Sequence, residues 1–323
     1  MDFFDIASYE KDLEALSIII GGRGIGKTYS ALSYLIENKK RFIYMRNTKT
    51  QIGESATDFG NPFKRLNKDK NWNIHIYPEK EHFNIIDDDS GENLGYACPL
   101  SIFKNYRGAD LSDVDYVLFD EFIESGKLLF DQFKCFTNMR ETVGRNRELL
   151  GEPPLYCILL SNSQSLTNPI LAGYDLISVI EGMIKSGQKK FKRKALLLLL
   201  PKSEISELKK NTSTYIGLEN TKIYKENIEN VFANDSFYGV VKRNIKEYKP
   251  VCKIDDMYLY VHKSNFKKYV CQVQAINIPE FRSRDNGLAF YRAYGNTLPY
   301  EYAKGSLEFS DFTTKTKFME III

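Results

Sequence analysis

Residues 16–28 read LSIIIGGRGIGKT, so a short hydrophobic strand runs directly into a glycine-rich loop that ends in Lys27 and Thr28. The loop fits the pattern G-x-x-x-x-G-K-[ST], which marks a phosphate-binding loop when it lies between a strand and a helix. A helix is predicted over 27–38 and a second buried strand over 42–46. Together these segments predict a β-α-β unit that begins a parallel sheet.

The loop contains the residues that we expect to bind ATP. Its glycines allow backbone conformations that direct successive amide N–H groups onto phosphate oxygens at a helix N-terminus. Lys27 is expected to reach the β- and γ-phosphates, and the Thr28 hydroxyl to ligate Mg²⁺. The predicted ATP-binding residues are Gly21, Gly22, Arg23, Gly24, Ile25, Gly26, Lys27 and Thr28.

Two carboxylates, Asp120 and Glu121, follow the apolar strand predicted at 116–119. Adjacent carboxylates at a strand end can divide the work of a hydrolase. Asp120 is expected to hold Mg²⁺ together with Thr28, while Glu121 orients and activates the attacking water as general base. A small-molecule kinase has less need of the second carboxylate, so the pair favours ATP hydrolysis.

Two further polar residues are candidates for catalysis. Asn162 follows the predicted strand 155–160 and could contact the γ-phosphate or the water, although Asn in this position could also cap the following turn. Arg145 ends a helix predicted at 128–145 and could complete a neighbouring subunit's site as an arginine finger. Basic residues are favoured at any helix C-terminus, and Arg23 is a rival finger that would act in its own site.

The remaining pattern extends the fold and divides the chain. The fold class is α/β, a P-loop NTPase of the ASCE type with a parallel sheet, flanking helices and an antiparallel insertion. We expect an ATPase domain at 1–200, a basic linker at 201–228 and a smaller α+β domain at 229–323. The predicted insertion strands are 73–77, 82–86 and 94–98, and a further core strand is predicted at 195–200.

Composition and charge restrict the class of protein. Hydrophobic residues make up 43% and charged residues 27%, as in ordinary folded proteins. No apolar run approaches the roughly 20 residues of a membrane helix, and the N-terminus lacks a basic signal-peptide start, so a cytoplasmic protein is expected. Five scattered cysteines without a CxxC pair indicate neither a disulfide framework nor a zinc site.

The formal net charge of +3 is too small to indicate nucleic-acid binding, but basic residues are concentrated in one stretch of the sequence. Residues 185–225 include eleven basic and three acidic side chains. This stretch, and Lys49 in the loop expected after the second strand, are candidates for contacts with DNA phosphates. Each could equally be a solvated surface.

A series of motifs resembles the DNA-packaging ATPases of small podophages with protein-primed genomes, the phi-twenty-nine-like group. The resemblance covers residues 21–169 and depends on motifs that occur in the same order. They are the glycine-rich loop with Arg23, FIYMR at 42–46, ACPLS at 97–101, FDEFI at 119–123, RNRE at 145–148, and LSN at 160–162 followed by Asn168-Pro169.

The resemblance implies a homo-oligomeric ring, a pentamer in this family, at the portal vertex of an empty capsid in the infected bacterial cell. The ring would translocate double-stranded viral DNA inward, with Arg145 acting on a neighbour's ATP and Arg107 as a second basic residue at the subunit interface. The C-terminal domain is expected to resemble a degenerate RNase H-type nuclease that binds without cutting. Some relatives also require a packaging RNA.

Two alternatives stay open at the level of sequence. A large terminase subunit would also cut DNA, and the C-terminal region has carboxylates for it: Asp255, Asp256, Glu280 and Asp285. A nucleotide-controlled DNA-binding switch would bind DNA but turn over slowly. A Mg²⁺-dependent nuclease assay distinguishes the first alternative, and DNA-stimulated ATP hydrolysis the second.

Overall fold

The computed structural model describes residues 3–79, 82–106, 108–124, 131–162, 166, 168–200, 204–218, 239–283, 289–295 and 297–322. The chain falls into two compact units. One is Met1–Gly173 with Gly182–Asn234, and the other is Tyr174–Glu181 with Asp235–Ile323. The finer division into 1–200, 201–228 and 229–323 stays a prediction.

The first unit contains a large α/β sheet. As far as residue 209 the elements are a 3-10 helix at Ile6–Asp12, β1 Leu16–Ile20, α1 Lys27–Glu37, β2 Phe42–Arg46, α2 Lys49–Ser55, α3 Lys64–Lys70, β3 Ile74–Glu79, β4 His82–Asp87, β5 Glu92–Pro99, a 3-10 helix at Leu100–Tyr106, β6 Tyr116–Asp120, α4 Gln132–Gly144, a 3-10 helix at Arg147–Leu150, β7 Tyr156–Ser161, α5 Pro169–Gly173, α6 Ile177–Ser186, β8 Lys190–Lys192, β9 Leu196–Leu199 and α7 Glu204–Lys209.

The strands pair in the order β3-β4-β5-β2-β6-β7-β1-β9-β8. Strand β1 lies parallel to both β7 and β9, with Ile18 opposite Leu159 and Leu197. All five residues of β1 are buried, as expected for a parallel strand that is covered on both faces. Because β1, β6 and β7 are parallel, their carboxyl ends meet at one edge of the sheet, which is where open α/β sheets bind ligands.

The sheet is mixed: its inner strands are parallel and the insertion is antiparallel, as predicted, and a further antiparallel strand lies at the other edge. Strand β5, predicted within the antiparallel insertion, is antiparallel to β4 but parallel to β2 and so joins the insertion to the core. Gly95 allows this junction: with φ of 151°, a Cβ here would lie 1.9 Å from the carbonyl oxygen of Phe42. Strand β8, antiparallel to β9, was not predicted at all.

Lys49 lies in a helix and not in the predicted loop, whereas the helix found within 201–228 is compatible with the predicted linker or small helical connector. Lys49 begins helix α2, because Thr48 and Gln51 form a capping box at its N-terminus. Within the linker predicted at 201–228, the described part contains helix α7. The basic stretch at 185–225 is not one exposed segment, since it includes the strands β8 and β9.

The second unit is built around a smaller sheet. Its further elements are a 3-10 helix at Ile245–Glu247, β10 Tyr248–Ile254, β11 Met257–His262, β12 Lys268–Cys271, β13 Glu280–Phe281, a π-helical turn at Tyr291–Gly295, α8 Leu298–Ala303, β14 Leu307–Phe309 and α9 Phe312–Ile322. Strands β10 to β12 form an antiparallel meander, with β13 and β14 added in parallel at its two edges.

A compact apolar core supports this second sheet, with Leu259, Phe290, Phe309 and Phe318 fully buried. The observed α+β character agrees with the predicted class for this part of the chain. A specific likeness to an RNase H-type nuclease stays a prediction. Among the helices in the described ranges, none combines the length and apolar character that crossing a bilayer requires.

Candidate nucleotide site

The glycine-rich loop joins β1 to the N-terminus of α1. Gly24 and Gly26 have φ values of 75° and 93°, conformations that residues with a Cβ rarely adopt. Gly26 is the N-cap residue of α1, so the loop leads directly into the end of a helix whose free N–H groups attract anions. The sequence therefore folds locally into the phosphate-binding shape that its pattern predicts.

Lys27 points into this loop. Its Nζ donates to the carbonyl oxygens of Gly21 and Gly22, at 3.0 and 2.7 Å, and to Oδ1 of Asn162 at 3.1 Å. Burial lowers the pKa of Lys27 to about 8, although the nearby carboxylates of Asp120 and Glu121 act in the opposite direction. The ammonium is thus held at the loop by neutral acceptors that a phosphate oxygen can replace.

Thr28 and Asp120 form the predicted metal-binding pair. The Thr28 hydroxyl donates to Oδ1 of Asp120 at 3.1 Å, and the Tyr44 hydroxyl donates to Oδ2 at 3.3 Å. Asp120 is buried at the end of β6, and this burial raises its pKa. Hydroxyl and carboxylate oxygens are the ligands that Mg²⁺ prefers, so the adjacent oxygens of Thr28 and Asp120 fit this ion.

Glu121 has an unusual backbone and a basic partner. Its φ is 50°, in the left-handed region that only a few per cent of non-glycine residues adopt. Nη2 of Arg46 lies 2.6 Å from its Oε2, and the Glu121 side chain is 50% exposed, so the carboxylate remains open to water. Such strained positions are concentrated at functional sites.

A buried amide network holds the backbone at Glu121. Asn47 donates from Nδ2 to the carbonyl oxygen of Glu121 at 3.2 Å. Gln132, fully buried in the first turn of α4, donates to Oδ1 of Asn47 and to the carbonyl oxygen of Phe122, both at 2.7 Å. Asn168 donates to Oε1 of Gln132 at 2.8 Å. The network joins the ends of β2 and β6 to helices α4 and α5.

Sequence reasoning missed Tyr44, Arg46, Asn47 and Gln132. Tyr44 and Arg46 lie within the motif FIYMR, where polar groups interrupt an otherwise apolar strand. That interruption was the available signal, since β2 pairs beside β6 and brings these groups next to Asp120 and Glu121. Gln132 gave no signal, because its side-chain partners Asn47 and Asn168 are each more than thirty residues away.

Two cavities adjoin the glycine-rich loop. One, of about 210 Å³, is lined by loop residues together with Asp120, Glu121 and Asn162. The other, of about 730 Å³, shares Gly24, Gly26 and Tyr29 with the first and is lined also by Phe3 and Phe4. The loop therefore lies between a small polar cavity and a larger one with aromatic walls.

The structure brings most of the predicted site residues together. Lys27, Thr28, Asp120, Glu121 and Asn162 meet around the smaller cavity, and Arg23 borders it. Asn162 contacts Lys27. Asn168 caps helix α5, because its Oδ1 accepts from the backbone N–H groups of Ile170 and Leu171.

Arg145 does not line this cavity. Its Nη2 donates to the carbonyl oxygen of Ala109 at 2.6 Å, and its Nη1 lies 4.0 Å from Asp110. The side chain is 48% exposed. Its predicted partner at the subunit interface, Arg107, lies outside the described residues.

The candidate DNA contacts have different surroundings. Lys49 is exposed at the start of α2. Within 185–225, Lys190 and Lys192 form ion pairs with Asp12, and Lys210 forms one with Glu207. Of the described basic residues in that stretch, Lys189, Arg193 and Lys194 are exposed around β8.

The C-terminal carboxylates are engaged within the second unit. Asp256 pairs with Lys317 at 3.0 Å, and Glu280 pairs with Lys253 at 3.3 Å. Asp255 accepts from the backbone N–H of Ser283 at 3.0 Å, in the tight turn between β10 and β11. Asp285 lies outside the described residues.

Comparisons with known proteins identify the family of the chain. The model of the Podovirus DNA encapsidation protein (Gp16) family matches residues 5–274. The DNA packaging proteins of Bacillus phages PZA and B103 are 26% and 28% identical over 238 residues, which is 71% of this chain and 65% and 68% of theirs. The chain thus spans about two thirds of the length of these curated relatives.

Two solved structures share the fold over nearly the whole chain. A chain of the Phi-28 gp11 DNA packaging motor has a TM-score of 0.67 at 19% identity, covering 99% of this chain and 98% of that one. A chain of the bacteriophage Phi-29 viral genome packaging motor assembly has a TM-score of 0.66 at 17% identity, with the same coverage. Since the family model matches most of its length, this chain belongs to the podovirus DNA encapsidation protein (Gp16) family.

Proposed function

We propose that this chain is a Mg²⁺-dependent ATPase that works in a homo-oligomeric ring and moves double-stranded viral DNA through the portal into an empty capsid. The proposal rests on one observation: a single cavity at the glycine-rich loop is lined by Lys27, Thr28, Asp120, Glu121 and Asn162. Membership of a DNA encapsidation family supports DNA as the cargo. The ring would act at the capsid portal in the host cytoplasm.

The two cavities suit the two ends of ATP. The triphosphate would lie in the smaller cavity, against the backbone N–H groups of the loop and the Lys27 ammonium. The base would lie in the larger cavity, where Phe3 and Tyr29 supply aromatic surface. Gly24 and Gly26 border both cavities, so one bound molecule can reach from one to the other across the loop.

Thr28 and Asp120 would hold Mg²⁺. When bound, the ion neutralises charge on the β- and γ-phosphate oxygens. Tyr44, which donates to the second oxygen of Asp120, would keep the carboxylate oriented toward Thr28. In this proposal Asp120 is therefore a metal ligand, and Glu121 is the residue that accepts the proton.

Glu121 would accept a proton from the attacking water. Its partner Arg46 holds the carboxylate by one oxygen, and Asn47 fixes the backbone on the other side. Arg46 occupies one oxygen of this carboxylate, so the contact has to loosen for that oxygen to accept a proton. Asn162, which contacts Lys27, is placed to respond to loss of the γ-phosphate.

Arg145 would act on the ATP of a neighbouring subunit. Its half-exposed side chain and its contact with Ala109 hold it away from the cavity of its own subunit. In this proposal Arg107 lies at the same interface. A pentameric ring and a packaging RNA are expectations from the family resemblance.

DNA contacts would be made mainly to phosphates, because a packaging motor has to accept every sequence. Lys49 and the exposed residues around β8 are the candidates. Binding should then fall steeply with salt and show little sequence preference.

Duplex-stimulated ATP hydrolysis tests the function. A motor is expected to hydrolyse ATP several times faster on double-stranded DNA, and Lys27→Ala protein, purified in parallel, controls for contaminating ATPases. Hydrolysis that is indifferent to DNA would favour the nucleotide-controlled switch. Packaging by purified empty capsids with ATP and DNA is the confirming assay, and failure of active ATPase to package into competent capsids would contradict the proposal.

A further inference from the structure

Helix α7 places a lysine against the phosphate-binding loop. Lys209, the last residue of α7, donates from Nζ to the carbonyl oxygen of Arg23 at 2.5 Å, across 186 residues of sequence. Helix α7 follows β9, which pairs with β1, so the short connection returns the chain to the edge of the sheet where the loop lies. The contact therefore joins the segment after the ATPase sheet to the nucleotide site.

The fit of Lys209 against the loop is close. A Cβ built on Gly24 would lie 2.6 Å from the Lys209 Nζ, so the ammonium occupies space that a side chain at position 24 would need. Gly24 also borders both cavities of the site. Lys209 thus contacts the loop at Arg23 and Gly24, and both of these residues border the smaller cavity.

Positive charges are in excess around this part of the phosphate-binding loop. Arg23, Lys27 and Lys209 converge on the loop, and Lys209 forms no ion pair with a carboxylate of the described residues. Partial burial, and then the charge of Arg23, lower the pKa of Lys209. The charge of Lys209 in turn contributes to lowering the pKa of Lys27. An anion at the loop would relieve this repulsion, and a carbonyl oxygen relieves only part of it.

We propose that Lys209 is a phosphate-binding residue of the nucleotide site, exchanging the Arg23 carbonyl oxygen for a phosphate oxygen when a nucleoside polyphosphate binds. Through this exchange α7 changes its contact with the loop according to whether nucleotide is bound. Because α7 lies between the ATPase sheet and the second unit in sequence, nucleotide occupancy is communicated to the segment that leads there. This inference rests on the proposed function, since it requires ATP at the loop.

Three substitutions distinguish whether Lys209 binds phosphate through its charge or only holds the loop in place through its hydrogen bond to the Arg23 carbonyl oxygen. Lys209→Arg keeps the charge and the donors, Lys209→Gln keeps a donor for the Arg23 carbonyl oxygen but removes the charge, and Lys209→Ala removes both. A residue that only braces the loop should tolerate Gln. A residue that binds phosphate should tolerate only Arg.

The matched control is Lys210→Gln, which removes the same charge one residue later, where the lysine pairs with Glu207 instead. Affinity of the full-length chain for ATPγS with Mg²⁺ is the first measurement. The Gln and Ala variants are expected to bind about tenfold more weakly, the loss of one charged hydrogen bond. The Arg variant and the Lys210 control are expected to stay near the wild-type affinity.

Hydrogen exchange with and without ATPγS is the second measurement. Amides of residues 204–218 should change protection on nucleotide binding in the wild type and in Lys209→Arg, but not in Lys209→Gln at saturating nucleotide. Wild-type affinity together with a wild-type exchange response in Lys209→Gln would overturn the inference and leave the proposed function intact. If the wild type binds no more ATPγS than Lys27→Ala does, the proposed function fails, and the inference fails with it.

Discussion

In the proposed function Lys27 and Glu121 both act on ATP, but their loss should have different effects. Lys27→Ala removes a phosphate partner and is expected to weaken ATP binding as well as hydrolysis. Glu121→Gln keeps the phosphate loop and the Thr28–Asp120 pair, so it should bind ATP with Mg²⁺ but hydrolyse it at least about a hundredfold more slowly. Equilibrium binding and single-turnover hydrolysis measure the two effects. Near-normal turnover by Glu121→Gln would exclude it as the base.

An ion pair between the exposed Arg243 and the buried Glu308 of the second unit predicts a pH-dependent stability. Glu308 accepts two hydrogen bonds from Arg243, both at 2.7 Å, and these lower its pKa below the usual 4.5. A depressed carboxyl pKa stabilises the fold above the unfolded value, and this stabilisation is lost as pH falls through the folded value. Glu308→Gln should therefore lower the free energy of unfolding by about 1–3 kcal/mol at pH 7.

Calorimetry at a series of pH values measures this effect, and the difference between Glu308→Gln and wild type should shrink as the pH falls below 4.5. Fluorescence would be a poor probe, because the single tryptophan, Trp72, belongs to the first unit. Glu280→Gln is a suitable control, since Glu280 is exposed and pairs with Lys253 at the longer distance of 3.3 Å. If the difference in the free energy of unfolding between Glu308→Gln and wild type is the same at every pH, lost packing and not lost charge explains the effect.

At the scale of elements, the amide network fixes the catalytic turn after β6. Gln132 joins α4 to Asn47 at the end of β2 and to the Phe122 carbonyl beside Glu121. Gln132→Leu should leave the phosphate loop intact but release the turn, so kcat should fall about tenfold or more while ATP affinity changes little. Measuring kcat at saturating ATP and ATP affinity by equilibrium binding distinguishes a released turn from general misfolding of the variant. An equal loss of ATP binding would contradict the proposed positioning role.

Local elements could be predicted from sequence because their signals are local. The glycine-rich loop, β1, α1 and β2 follow one another within residues 16–46, and each is marked by hydrophobic periodicity or by glycine. The carboxylates after β6 could be predicted for the same reason. Asp120 and Glu121 stand where an apolar run ends.

Long-range contacts could not be predicted in this way. The Arg46–Glu121 pair depends on β2 lying beside β6, and the Lys209 contact depends on β9 lying beside β1. Strand β8 is only three residues long and strongly basic, so neither length nor hydrophobicity marked it. Its pairing with β9 becomes visible only in the folded sheet.

At the scale of the whole molecule, the proposed action of Arg145 ties hydrolysis to assembly. Arg145→Ala subunits keep an intact phosphate loop, and Lys27→Ala subunits keep an intact finger. Neighbouring placement of the two in a mixed ring therefore rebuilds some complete sites. An arginine finger is worth on the order of 10³ to 10⁵ in rate, so each variant alone should be nearly inactive and mixtures should regain DNA-stimulated hydrolysis.

The mixing experiment has an informative negative result. If mixed rings form but every ratio stays as inactive as the single variants, action between subunits is ruled out. Arg23, which borders the cavity of its own subunit, then becomes the better candidate.

We also expect the full-length chain not to nick DNA with Mg²⁺ or Mn²⁺. Asp256 and Glu280 are paired with lysines, and Asp255 accepts a backbone N–H, so these carboxylates are occupied by contacts within the second unit. A supercoiled plasmid is a sensitive substrate for this test. Nicking that disappears in Asp255→Ala or Asp256→Ala protein would favour the terminase alternative.

During synthesis on the ribosome, β1 emerges early but its two neighbours emerge late. Leu16 pairs opposite Cys157, and Ser17 pairs opposite Leu196, so the strand that leads into the phosphate loop has no partner for most of translation. Its apolar residues and free backbone groups form an open edge of the kind that promotes aggregation. A nascent chain of this protein therefore needs protection, from a chaperone or from rapid elongation, until β9 has been made.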